Sequence, residues 1–73
     1  MTKETYFGQR LRLEARNENY PAWGTINSCL IEQHKATETL DSAYARAKHE
    51  LEEKSRRWAE TFDPLMEFRI IAD

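Results

Sequence analysis

Three side chains in this 73-residue sequence could hold a soft metal or act as a thiol or imidazole catalyst: Cys29, His34 and His49. A zinc site or a cysteine–histidine nucleophile needs such residues brought to one face of an element. On a continuous helix Cys29 and His34 would point about 140° apart, at about 100° per residue, too far to share one ion. His49 points away from the apolar stripe described below. With no second cysteine and no H-x-x-x-H pair, the expectation is a half-buried thiol, two surface histidines and no metal. Glu52 and Glu53 are neighbours that diverge by about 100° on a helix, which separates two carboxylates rather than coupling them. The only glycines, Gly8 and Gly24, belong to no phosphate-cradling loop. We therefore expect no enzyme activity and no cofactor.

A second kind of chemistry is suggested by EEKSRRWAETF, Glu52 to Phe62, where basic residues stand beside a tryptophan. Arg46, Lys48, Lys54, Arg56 and Arg57 share one predicted helix, and a nucleic-acid contact needs such residues gathered and uncompensated. Acids intervene: Glu50 precedes Lys54 by four residues, Glu52 precedes Arg56 and Glu53 precedes Arg57, all in the favourable orientation for ion pairs. A second set, Arg10, Arg12 and Arg16, is diluted by Glu14 and Glu18. With 11 basic and 13 acidic residues and a net charge of −2, the chain has no basic arm. A nucleic-acid-binding module within a larger complex is therefore the alternative reading, and protein binding leads.

The elements that must position these residues are read from periodicity. Leu40, Tyr44, Ala47, Leu51, Ser55, Trp58 and Phe62 fall within an arc of about 80° on a helical projection. Good helix formers fill the other faces, and no Gly or Pro interrupts Thr25 to Asp63. This predicts a long amphipathic helix over 39–62. Upstream, Thr25 reads as an N-cap for a helix over 25–38, with a bend or break near 36–42. Residues 1–16 read as helix or strand, since FGQRLRLEAR alternates strictly yet also places Phe7, Leu11 and Ala15 four apart; helix is preferred. Residues 17–24 form a loop rich in turn formers. After Asp63-Pro64, residues 64–72 read as a short helix or a strand.

The fold expected is a single mostly α domain, a small helical hairpin or bundle around one long amphipathic helix. The alternative is an α+β fold with 7–16 and 65–72 as paired strands. No apolar run exceeds three residues, which leaves no membrane span or signal-peptide core. A lone cysteine fits a reducing compartment, and a cytoplasmic protein is expected. Eight aromatics (two Trp, three Tyr, three Phe) are more than so small a helical core readily encloses. Tyr20 and Trp23 fall in the loop, and Ile31 lies opposite the main stripe. The function expected is a small non-catalytic protein that binds a larger protein and regulates or inhibits it, as monomer or weak dimer. Tyr20, Trp23, Ile31, Arg56, Arg57 and Trp58 are its candidate contacts. A structural homo-oligomer is a third reading.

Overall fold

The computed structural model describes residues 5–73, arranged as β1 (Arg10–Arg16), β2 (Gly24–Leu30), α1 (Leu40–Thr61) and β3 (Glu67–Ala72). The strands form one antiparallel sheet in the order β2-β1-β3, with the helix across one face. The fold is therefore α+β, and the mostly helical expectation is corrected. The pairing of the two end segments, carried only as the alternative, is the one observed: β1 and β3 run antiparallel from Leu11 opposite Ala72 to Arg16 opposite Glu67.

β1 is a strand because its alternation meets cover on one side only. Leu11 and Leu13 are buried beneath α1 and Ala15 is buried on the same side of the strand, while Arg10, Arg12, Glu14 and Arg16 line the opposite face, which has no helix. The i, i+4 spacing of Phe7, Leu11 and Ala15 also fits a helix. It loses because β1 is the central strand and has backbone partners on both sides.

The expected helix over 25–38 is replaced by β2 and a loop. Ile26 and Cys29 stand three residues apart, a helical step that strict alternation would send to opposite faces. A register shift resolves this: Leu13 pairs with Asn27, whereas Glu14 pairs with Thr25, leaving Ile26 as the extra residue of a bulge. Ile26 and Cys29 both pack against the core as a result. Beyond the strand, Ile31 exchanges backbone bonds with the segment before β1. The Gly8 N–H donates to its carbonyl at 2.7 Å, and its own N–H donates to the Gln9 carbonyl at 2.9 Å. Gly8 adopts φ 89° to do so, a conformation that favours glycine.

The long helix matches its predicted span within a residue at each end. Thr39 is its N-cap, with the hydroxyl accepting from the Ser42 N–H at 3.2 Å. Ala43, Ala47 and Leu51 are its buried residues. Burial of a leucine or isoleucine contributes about 1.5–3 kcal/mol, so Leu11, Leu13, Ile31 and Leu51 dominate the core. A 22-residue helix is about 33 Å long and a seven-residue strand about 23 Å. The helix therefore outruns the sheet, and past Leu51 it carries Trp58 half-buried and ends at an exposed Phe62. No helix among the described residues is long and apolar enough to cross a membrane.

Candidate functional site

The loop joining β1 to β2 lies at the end of the sheet where β3 begins. Asn17 shapes it: its N–H donates to the Tyr20 carbonyl at 3.1 Å, and its Oδ1 accepts from the Tyr20 N–H at 2.8 Å. This turn leaves the Tyr20 side chain in solvent, 75% exposed. Tyr20, Pro21, Trp23, Ile26 and Met66 line a cleft of about 570 Å³. Pro21 also borders Leu65, which is 83% exposed. Phe62, 66% exposed, is the C-cap of α1, and its ring centroid lies 4.6 Å from that of Trp58.

Arg16 is the one charged residue of the cleft lining, which has no carboxylate, histidine or cysteine. The cleft thus offers apolar and aromatic contact area and no acid–base pair. Its outer rim continues onto the open face of the sheet. There Trp23 meets two cations, with the guanidinium carbons of Arg16 and Arg69 each 4.4 Å from its ring centroid. Both arginines are also ion-paired. Arg16 Nε lies 2.7 Å from Glu67 Oε2, and Arg69 donates from Nε to Glu14 Oε1 at 2.7 Å. Arg12 reaches Asp73 at 2.7 Å. Glu14 is only 7% exposed although it sits on the face without a helix. The ion pairs and Trp23 form a polar lid over the sheet.

Of the sequence-predicted contacts, Tyr20 and Trp23 meet at this cleft, while Trp58 is half-buried on α1 against the ring of Phe62. Ile31 does not belong with them. It is 0% exposed and needs no foreign surface, because its segment prolongs the sheet instead of forming a helix. Arg56 and Arg57 lie on the exposed side of α1. Arg56 pairs with Glu53 at 2.6 Å, three residues back, rather than with Glu52. Met66 lines the same cleft and Leu65 the adjoining one, and neither was among the candidates read from the sequence. The signal that could have found Leu65 is its place just after Asp63-Pro64, where a turn projects side chains outward.

Two further polar clusters lie along the first half of α1. The Cys29 thiol donates to Glu50 Oε2 at 3.2 Å. Burial first, and then Glu50, push its pKa up to about 11, which keeps it a neutral thiol. Glu38 accepts from Arg46 through both carboxylate oxygens and from the His34 N–H at 2.9 Å. Arg46 chiefly, and then His34, hold its carboxyl at about 2, and Arg46 is raised in turn by Glu38. Among the described residues no group of three or more His, Cys, Asp or Glu side chains is placed to hold a metal ion. No protein-family model, curated protein or solved structure matches this chain.

Proposed function

We propose that the protein is a non-catalytic binding module that uses its aromatic loop end to engage a larger protein, which it regulates or inhibits. The observation that carries this reading is the apolar cleft lined by Tyr20, Pro21, Trp23, Ile26 and Met66, with Tyr20 75% exposed at its edge and Leu65, 83% exposed, beside Pro21 in the adjoining cleft. Such side chains cost solvation when left in water and contribute most when a partner covers them. The ion-paired face beside them supplies a polar rim.

The test places a photo-crosslinking amino acid at Tyr20 and, separately, at His49 on the exposed side of α1, in the source lysate. The Tyr20 position should capture one large protein that the His49 position does not. With that protein purified, Tyr20→Ala and Leu65→Glu should each weaken binding at least about tenfold. Equal affinity for wild type and both variants would remove the reading.

Trp23 beside Arg16 and Arg69 supports the nucleic-acid alternative, since bases stack on such platforms. The carboxylates on both arginines weigh against it. Oligonucleotide binding that falls steeply with salt and is abolished by Arg16→Glu would favour it.

A further inference from the structure

Two smaller clefts of about 270 Å³ each adjoin the aromatic one around the same turn. One shares Arg16, Asn17 and Pro21 with it, and the other shares Asn17 and Asn19. They also meet each other at Glu18 and Leu65. The charged lining of all three is Glu18, Asp63 and Glu67 against Arg16, three anions to one cation. Glu67 is neutralised by Arg16 at 2.7 Å, and that guanidinium also lies over the Trp23 ring. Glu18 and Asp63 have no such partner, since no cation among the described residues lies within ion-pair distance of either. Asp63 is half-buried and held in place: its Oδ1 accepts from the Leu65 N–H at 2.9 Å, in the turn that sets Leu65 beside Pro21. Glu18 is exposed. The aromatic cleft is thus flanked by two carboxylates without a counter-charge.

We propose that the occupant of this end is an extended segment of the partner protein in which an apolar side chain stands a few residues from a lysine or arginine. This rests on the aromatic cleft being the partner-binding surface, and it adds the chemistry that the surface selects. The apolar side chain fills the cleft beside Tyr20, Trp23 and Met66. The cation sits with Glu18 and Asp63, its aliphatic stem lying along Leu65. Because the clefts share lining residues, a few extended residues, at about 3.3 Å each, span them. Charge complementarity decides the sign. An acidic segment would face two unpaired carboxylates and find the one arginine of the lining already paired, whereas a purely basic segment would leave Tyr20 and Leu65 in water.

A displayed library of random dodecapeptides, selected on the immobilised full chain and counter-selected on Tyr20→Ala, tests this. Enriched peptides should carry an apolar residue close to Lys or Arg and few acids. A synthetic peptide of the enriched sequence should shift the amide resonances of Glu18, Tyr20, Trp23 and Met66. Glu18→Gln and Asp63→Asn should each weaken its binding about two- to fivefold, the range of an exposed ion pair. Asp63→Asn keeps the Oδ1 acceptor of the turn, and Glu18→Gln lies outside that turn altogether, so each removes charge without removing the bond. Added salt should weaken the wild type more than the double variant. Enrichment of acidic or uncharged peptides, no enrichment over Tyr20→Ala, or affinity indifferent to both neutral variants would each overturn the proposal. The protein captured through Tyr20 separates the two readings. If Tyr20→Ala weakens its binding while the double variant binds as the wild type does, the partner surface stands and its preference for a cation falls; if neither has an effect, both fall.

Discussion

Glu38 shows how one side chain can fix a connection that has no regular structure. It lies in the segment between β2 and α1, where its carboxylate gathers the Arg46 guanidinium and the His34 amide. Its pKa in the folded protein, about 2, lies below the ordinary 4.5. A depressed carboxyl contributes stability that is fully present above the unfolded value and is lost as the pH falls through the folded one. The wild-type melting temperature should therefore fall more steeply between about pH 4.5 and pH 2 than that of Glu38→Gln. Parallel curves for the two proteins would show that the cluster carries no such linkage. The pairing of Glu38 with Arg46 could not be read from the sequence, because their eight-residue separation matches no i, i+3 or i, i+4 pair. The turn that brings them together lies outside the helix.

At the scale of the element, the helix was legible because its stripe, its cap and its composition agree. Thr39→Ala should cost about 1 kcal/mol by removing the hydroxyl that accepts from Ser42, measured by chemical denaturation. An unchanged midpoint would mean that water replaces the cap. The strands were only partly legible: 7–16 and 65–72 could be read as a strand pair but not preferred over helix, and 25–30 was read as helix, for two separate reasons. β1 satisfies both periods in its apolar residues, and only partners distant in sequence decide between them. β2 hides its alternation behind the bulge at Ile26, so that its core residues stand three apart. The same mismatch placed Ile31 outside the core. For the candidate site, Tyr20 and Trp23 were readable as aromatics among turn formers. Met66 and Leu65 were not, because their nearness to the loop follows from β1–β3 pairing.

The whole molecule is a thin slab, 43 × 28 × 14 Å, with one helix on one face of the sheet and ion pairs with Trp23 on the other. So shallow a body has few deeply shielded backbone groups, and the central strand holds most of them. Amide exchange should be slowest at Leu11, Leu13 and Glu14, and faster in β2 and β3. Uniform protection across the three strands in dilute solution would contradict this placement.

The central position of β1 also has a consequence in time. β1 meets β2 through a short hairpin, but it meets β3 only after the helix intervenes, as in the ion pair between Arg16 and Glu67, 51 residues apart. Local contacts form before distant ones because closing a longer loop costs more entropy. The hairpin and the helix can thus be in place while one side of β1 is still bare. Arrival of β3 is then the step that closes the structure, and Arg69 comes with it to meet the ring of Trp23. That indole should report the last event of folding, not the first.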